Sequence, residues 1–169
     1  MGNGDVIECK LIENLVPADK HDLERAQAAI AAGYPRVGPI LDDLLMWIQD
    51  VNWPVARVLL PFLASLGSPL VPHVQRVLSS EDHVWKYNVI AFVIAECETL
   101  RREFEPELCR LVASPTEVEK IEELAIVAAD ALGRLEEHNA KNKMVDKARN
   151  SSNFRSYRVA KCILLPFHA

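Results

Sequence analysis

Aromatic and charged side chains gather in two short stretches of this sequence, residues 47–53 and 82–87. The candidate binding residues in these stretches are Trp47, Asp50, Trp53, Asp82, Trp85, Lys86 and Tyr87. Large aromatic side chains surrounded by a few charged groups commonly anchor protein and peptide partners, because they bury much area and keep a polar end for a directed contact. The two stretches therefore predict a site that binds a protein or a peptide.

The same residues also have a purely structural interpretation. Trp53 and Trp85 lie near the starts of consecutive predicted helices, where indole rings can wedge between neighbouring helix pairs. Asp50 and Asp82 can tie down helix starts, because a carboxylate accepts the unpaired N–H groups of a first turn. Lys86 is then a solvated or ion-paired surface residue, and none of these side chains contacts a partner.

Residues for other chemistry show no recognisable arrangement. The five histidines are scattered, and the four cysteines show no C-x-x-C or other metal-ligand spacing. The sequence also lacks a Gly-rich phosphate-binding loop. We therefore predict no catalytic residue, no metal and no cofactor, and we expect a binding function rather than an enzymatic one.

Helix pairs recur along the chain at a spacing of about 33 residues. Pro39, Pro72 and Pro106 each open an amphipathic helix, and they lie 33 and 34 residues apart. A second apolar helix follows each of them. Helix pairs that cannot cover their own apolar faces stack into a solenoid. The pattern predicts an all-α, HEAT-like α-solenoid of about three antiparallel helix pairs, at 36–66, 69–97 and 104–137. The alternative is an irregular helical bundle.

Capping residues predict where several helices begin and end. Asp19 to Asp22 start an N-terminal capping helix that Gly33 ends. Asn52 is expected to cap the second helix of pair one, with Pro54 in its first turn and Gly67 after its end.

The later helices are predicted mainly from apolar spacing. Asp82 caps a helix with apolar residues on nearly all sides, which predicts a position at the centre of the domain. Residues 100–105 are expected to form a charged joint between pairs two and three. Thr116 and Glu119 have the spacing of a capping box. Ile121 to Leu135 then predict one long second helix in pair three.

Length and composition indicate one helical domain in a reducing compartment. The chain has 169 residues, and none of its segments alternates between apolar and polar residues as a half-buried strand does. Its start lacks a signal sequence, and its longest apolar run, residues 89–95, is too short to cross a bilayer. These features predict a cytoplasmic protein with no membrane span.

Charge is unevenly distributed between the helical repeats and the C-terminal end. Residues 138–169 contain seven basic residues and one acidic residue, whereas the preceding residues have a net charge of −11. An acidic body disfavours nucleic acid as a partner, because phosphate binding needs clustered Lys and Arg. The predicted organisation is a loose lead-in at 1–14, a repeat domain at 15–137 and a basic, disordered tail at 138–169.

Four short motifs are more specific than the repeat pattern. They are Leu15–Pro17, Asn52–Ala56, Leu70–His73 and Asp82–Tyr87. In combination they resemble a family of small, mostly bacterial proteins known as a domain of unknown function, over about residues 12–135. The resemblance implies an all-helical HEAT-like fold and supplies no functional residue. The family pattern also implies a bulky apolar residue at the position of Asn88.

The predicted function is a small soluble interaction module that binds an unidentified protein or peptide through its concave face. The alternative is a HEAT-like enzyme that acts on nucleic acid. Some HEAT-like proteins excise alkylated DNA bases with aromatic residues and an Asp in a basic concave groove. Trp47, Asp50, Trp53 and Trp85 are of matching types, but the acidic body disfavours this alternative.

Overall fold

The computed structural model describes residue 12 and residues 14–150, and every regular element in this part of the chain is helical. The all-α prediction is thereby confirmed for the described residues. In chain order the α-helices are α1 (Leu23–Ala32), α2 (Leu41–Met46), α3 (Pro54–Leu66), α4 (Val71–Leu78), α5 (His83–Val89), α6 (Glu98–Glu103), α7 (Glu105–Ala113), α8 (Glu117–Ile121) and α9 (Leu124–Asn150).

Several helices are extended by tighter or wider turns. A 3₁₀ turn at Gly38–Ile40 leads into α2, and a second at Trp47–Gln49 ends it. A third 3₁₀ turn, Ser68–Leu70, leads into α4. Helix α5 continues into a π-helical turn at Ile90–Ile94.

The chain divides into two compact units, Met1–Gly133 and Arg134–Ala169, and the boundary falls within α9. The first unit contains α1 to α8 and the hydrophobic core. In the second unit, residues 134–150 are helical. The predicted tail thus begins inside a helix, while its residues 151–169 lie outside the described residues. Most of the predicted lead-in also lies outside them.

Capping residues account for the helix ends that the sequence predicted. The Asp22 carboxylate accepts the Arg25 N–H at 3.2 Å, and Gly33 follows the last residue of α1. Gly67 ends α3 with a φ of 65°, a conformation that suits glycine because it has no Cβ. The Asp82 carboxylate caps α5, and Thr116 with Glu119 forms the predicted capping box at α8.

The start of α3 differs from the prediction. The residue before the helix is Trp53, and no side chain caps it, so the expected cap at Asn52 is wrong. Asn52 lies in the preceding turn, where its own N–H donates to the Asp50 carboxylate. Pro54 in the first turn has no N–H to satisfy, which reduces the need for a cap.

Two further predictions about the third pair are wrong. Residues 98–103, which overlap the expected charged joint, form helix α6 and bury Leu100. The expected single helix from Ile121 to Leu135 is broken at Glu123, whose φ of 58° is incompatible with a continuing right-handed helix. Ile121 is 75% exposed as a result, because the break removes it from the face that α9 buries.

Helix α3 lies at the centre of the first unit. It contacts α1 on one side and the π turn that follows α5 on another. Helix α4 contacts both α2 and α5, and α6 contacts the π turn and α7. The largest side chains that these contacts bury completely are Leu41, Leu44, Leu45, Ile48, Leu59, Leu63, Leu70, Ile90, Ile94, Leu100, Leu108 and Leu124.

The π turn changes which residues of the apolar helix are buried. The Ala95 N–H donates to the Ile90 carbonyl at 2.9 Å, which is the five-residue bond of a π-helix. Ile90, Val93 and Ile94 are buried, whereas Phe92 is 39% exposed. Phe92 and Val84, which is 52% exposed, are thus exceptions among the apolar residues that predict a helix covered on several faces.

Within the described residues, no single helix has both the length and the apolar character needed to cross a membrane. The required length and apolar character are reached only by two helical segments taken together, Pro54–Leu66 and Ser68–Leu78, and the chain bends by 111° between them.

Candidate functional site

Trp47 and Trp53 lie on either side of the turn that joins α2 to α3. Trp47 begins the 3₁₀ turn at the end of α2, and Trp53 immediately precedes α3. The Asp50 carboxylate accepts the Asn52 N–H at 2.9 Å, and the Asp50 carbonyl accepts the Trp53 N–H at 3.1 Å. These two bonds close the turn and bring the indole rings together.

The two indole rings contact each other edge to face. Their centroids are 5.7 Å apart and their planes meet at 67°. This arrangement is favourable because the electropositive edge of one ring meets the electronegative face of the other. Both side chains are half-buried and pack against the hydrophobic core. Their position is therefore held by packing within the protein.

A pocket of about 340 Å³ lies beside this pair. We call it the aromatic pocket. Its lining is mainly apolar and includes one carboxylate and one carboxamide: Val16, Asp43, Met46, Trp47, Gln49 and Trp53. The volume is at the lower end of the range for small-molecule sites, and it suits one side chain or a small organic group.

Helical spacing places a carboxylate next to Trp47. Asp43, Met46 and Trp47 are at positions i, i+3 and i+4, which share one face of a helix. The Met46 side chain is 51% exposed, and Asp43 is exposed. Within the described part of the chain, the Asp43 carboxylate has no ion-pair partner. The pocket lining therefore includes, beside an indole ring, a carboxylate that no described residue neutralises.

The neighbouring carboxylate, Asp42, is already engaged. Arg76 Nη2 lies 2.6 Å from Asp42 Oδ2, and His73 Nδ1 lies 2.7 Å from Asp42 Oδ1. Burial alone would raise the pKa of Asp42, but the hydrogen bonds from Arg76 and His73 outweigh it and hold that pKa below its usual value. Asp42 thus joins α2 to α4 and is not part of the aromatic pocket.

The second stretch of candidate residues lies outside the aromatic pocket. Trp85 donates its indole N–H to the Leu45 carbonyl at 3.1 Å. Asn88, one turn further along α5, donates from Nδ2 to the Gln49 carbonyl at 3.0 Å. These two side chains fasten α5 to the end of α2, which is a structural role. Asn88 is buried there, although the family pattern implied an apolar residue.

The other predicted residues of the second stretch also lie away from the pocket. The Asp82 carboxylate accepts the Trp85 N–H at 2.9 Å and so caps α5. Lys86 and Tyr87 are half-buried on α5, and neither lines the aromatic pocket. Of the seven predicted site residues, Trp47 and Trp53 are brought together in the lining of the aromatic pocket, and Asp50 closes the turn between them.

Sequence reasoning missed four residues of the pocket lining: Val16, Asp43, Met46 and Gln49. The i, i+3, i+4 spacing of Asp43, Met46 and Trp47 was available as a signal for three of the six lining residues. Val16 could not be found in this way, because its place in the lining depends on how the segment before α1 packs against α2.

Two further concavities occur in the described residues. One, of about 520 Å³, lies between α3 and the π turn, and we call it the inner groove; its lining is Leu60, Pro61, Ala64, Ser65, Phe92 and Glu96. The other, of about 510 Å³, is more polar and is lined by Asn14, Ala18, Asp22, Glu24, Arg25 and Ala28. Neither brings together residues with a recognisable catalytic arrangement.

A partly buried ion pair lies away from these concavities. Arg110 Nη2 is 2.7 Å from Glu119 Oε1, and the Thr116 N–H donates to Glu119 Oε2 at 2.7 Å. The hydrogen bond from Arg110 outweighs burial and, with the Thr116 N–H, lowers the pKa of Glu119 to about 2. Glu119 thus joins the capping box of α8 to Arg110 on α7. Among the residues that the structure describes, no group of three His, Cys, Asp or Glu side chains is placed to hold a metal ion.

The fold and the pocket define a small all-helical protein with a preformed aromatic recess. The chain belongs to the family described as domain of unknown function (DUF5071), whose model matches residues 15–132. Comparison with curated proteins found no match. The predicted membership of an uncharacterised family is confirmed, and the family description assigns no activity or functional residue.

Proposed function

We propose that this chain is an interaction module that binds a protein or peptide, with the aromatic pocket as its anchor site. The single observation that carries the proposal is the edge-to-face pair of Trp47 and Trp53 at 5.7 Å, which opens onto a pocket beside the exposed Met46. Rigid, partly buried aromatic residues lose little side-chain entropy on binding, and such residues dominate the energetics of interfaces.

The proposal includes a HEAT-like solenoid arrangement of antiparallel helix pairs. In it, α1, α3 and the helix formed by α5 with its π turn make the inner row, while α2 and α4 make the outer row. The contacts of α3 with α1 and with the π turn support the inner row, and the contact of α2 with α4 supports the outer row. The concave face is then the exposed side of the inner row, where the inner groove lies.

A bound segment would run from the aromatic pocket along the concave face. Pro61, in the inner groove, lies eight residues after Trp53, and this separation corresponds to about 12 Å along a helix axis. About four residues of an extended peptide span this distance. The inner groove offers an exposed apolar side chain, Phe92, as a secondary contact. We propose the cytoplasm as the compartment, since the sequence shows no disulfide framework.

The alternative proposal is a base-excising enzyme that acts on nucleic acid. Three observations weigh against it. One carboxylate oxygen of Asp50 already accepts the Asn52 N–H, and the indole N–H of Trp85 already donates to the Leu45 carbonyl. The carboxylate that does line the pocket, Asp43, would repel a phosphate backbone.

The proposed function is tested by selecting binders from a random peptide display library with the full-length chain as bait. The affinity of the selected peptides is then measured for wild type and for Met46→Ser, which alters the wall of the aromatic pocket. Val84→Ser is the matched control, because Val84 is 52% exposed and Met46 is 51% exposed, and Val84 lies outside the pocket. We expect a loss of binding of about tenfold or more for Met46→Ser only, as for an anchor residue.

Equal binding by the two variants, or no enriched peptide at all, would contradict the proposal. The alternative is tested in parallel with a duplex oligonucleotide that contains an alkylated purine. Release of the alkylated base, lost in Asp43→Asn or Asp50→Asn, would favour the enzyme.

A further inference from the structure

We infer that the aromatic pocket selects a basic side chain, the ammonium of a lysine or the guanidinium of an arginine, from the segment that it binds. This inference rests on the proposed function and specifies the chemistry of its ligand. Three features of the described residues carry it: the charge inside the pocket, the aromatic walls, and the charge of the surrounding body.

The first feature is the charge of Asp43. Its carboxylate lines the pocket and has no cationic partner within the described residues, whereas Asp42 is paired with Arg76 and His73. The two basic side chains that α4 brings to α2 are thus committed to Asp42. A carboxylate beside an apolar recess gains most from a cation that arrives with its own apolar stem, because both groups are then paired as water leaves.

The second feature is the pair of indole rings. A cation over the face of a tryptophan is attracted by the electron-rich π system, and tryptophan is the most effective ring for this contact. Both indole rings line the pocket, and their planes meet at 67°. The methylene stem of Lys or Arg can lie against Met46 and Val16 while its charged end reaches Asp43.

The third feature is the net charge of the body. Residues 1–137 carry a net charge of −11. This charge attracts a basic segment from a longer distance than the contacts in the pocket do. An acidic segment would meet repulsion at both ranges. A neutral apolar anchor would fill the pocket but would offer no charge to the Asp43 carboxylate.

The test uses one peptide from the display selection and four versions of it at the anchor position: Arg, Lys, citrulline and norleucine. Citrulline has the shape of arginine without the charge, and norleucine has the apolar stem of lysine. Kd is measured by isothermal titration at low and at physiological ionic strength. We expect the Arg or Lys peptide to bind at least about tenfold more tightly than its neutral counterpart, with the difference reduced by salt.

The matched variants are Asp43→Asn and Asp42→Asn, which change the net charge equally and stand side by side in the first turn of α2. We expect Asp43→Asn to weaken the binding of the basic peptide by about three- to tenfold and to leave the Kd of the norleucine peptide unchanged. Asp42→Asn should change either Kd by less than about twofold, because Asp42 does not line the pocket.

The indole N–H signals of the three tryptophans locate the contact by NMR. Trp47 and Trp53 should shift on titration of the basic peptide, and Trp85 should not, because it does not line the pocket. Pocket-dependent binding of neutral peptides as tight as the basic ones would overturn this inference and leave the proposed function standing. If no peptide binds in a pocket-dependent way, both this inference and the proposed function are wrong. Concentration-dependent self-association that is lost in Met46→Ser would instead identify a second copy of the chain as the occupant.

Discussion

The indole N–H of Trp85 is hydrogen-bonded to the backbone carbonyl of Leu45 at 3.1 Å, across a sequence separation of 40 residues. Leu45 lies in the last turn of α2, where its carbonyl also receives the backbone N–H of Trp47, the residue that ends the helix. Asn88 makes the equivalent bond to Gln49, four residues further on. Side chains from α5 thus complete the hydrogen bonding of the helix end that carries Trp47.

This relationship predicts that Trp85→Phe destabilises the protein. Phenylalanine keeps most of the apolar contact and removes the donor, so the carbonyl of the buried Leu45 loses its bond to the indole. We expect a loss of about 1–3 kcal/mol in the free energy of unfolding, measured by urea denaturation. Asn88→Leu should cost less, because Gln49 is only half-buried and its carbonyl can reach water. An equal or larger loss in Asn88→Leu would contradict this explanation.

The contact between Trp47 and Trp53 should be measurable as a coupling free energy. In a double-mutant cycle with Trp47→Leu and Trp53→Leu, the two losses of stability should be non-additive by about 0.5–1.5 kcal/mol, the typical value of an aromatic pair. Chemical denaturation of the four proteins supplies the coupling. A control cycle of Trp47→Leu with Trp85→Phe lacks a ring contact and should give a smaller coupling; equal couplings would argue against a specific pair.

The pair of Glu119 and Arg110 predicts a pH dependence of stability. The pKa of Glu119 is lowered to about 2 from an ordinary value of 4.5. A carboxyl group whose pKa is lower in the folded protein stabilises the fold above its unfolded pKa. This contribution should therefore be complete above about pH 5 and should be lost as the pH falls from 4.5 toward 2.

Glu119→Gln tests this dependence, since it removes the titrating group and weakens both the ion pair and the capping box. At pH 7 it should cost about 1–2 kcal/mol, and between about pH 4.5 and 2 its stability should fall less steeply than that of wild type. Glu117→Gln is a suitable comparison, because Glu117 is exposed in the same turn. Parallel pH profiles for wild type and Glu119→Gln would show that the pair does not contribute.

Two glycines predict opposite effects of the same substitution. Gly67 has a φ of 65°, and a Cβ there would lie in ordinary contact with Thr99 at 3.7 Å, so Gly67→Ala should destabilise through the backbone by about 1–2 kcal/mol. Gly133 lies within α9, and a Cβ there would meet open space among the described residues, so Gly133→Ala should stabilise by up to about 1 kcal/mol. Thermal melting of both variants checks the signs.

Much of this fold was predictable because several helix ends depend on residues only a few positions away in the sequence. Asp22, Gly67 and Asp82 fix helix ends by local hydrogen bonds or by a permitted φ. The sequence alone identified Gly67 and Asp82, and it placed the start of α1 between Asp19 and Asp22. Trp47 and Trp53 were recognisable as candidates by type. Their contact depends on the turn closed by Asp50, whose geometry is set by hydrogen bonds within four residues.

The remaining features depend on packing between segments that are distant in sequence, and the spacing of residue types along the chain does not predict such contacts. Glu123 adopts a positive φ although glutamate normally continues a helix, and no local signal marks it. Asn88 is buried because Gln49 offers it a carbonyl 39 residues away. The role of Trp85 was uncertain for the same reason, since its acceptor lies on another helix.

The π turn at Ile90–Ile94 has a consequence for how the family's sequences should be compared. A π turn holds one residue more than the α-helical turn that it replaces. A relative that lacks one residue between positions 89 and 95 would form an unbroken α-helix there and keep the same neighbours on both sides. We therefore expect single-residue gaps in this family to fall within the apolar run, where a conventional alignment would place them in the loops. Such a relative would present a different side chain in place of Phe92, and the inner groove would change through a deletion rather than a substitution.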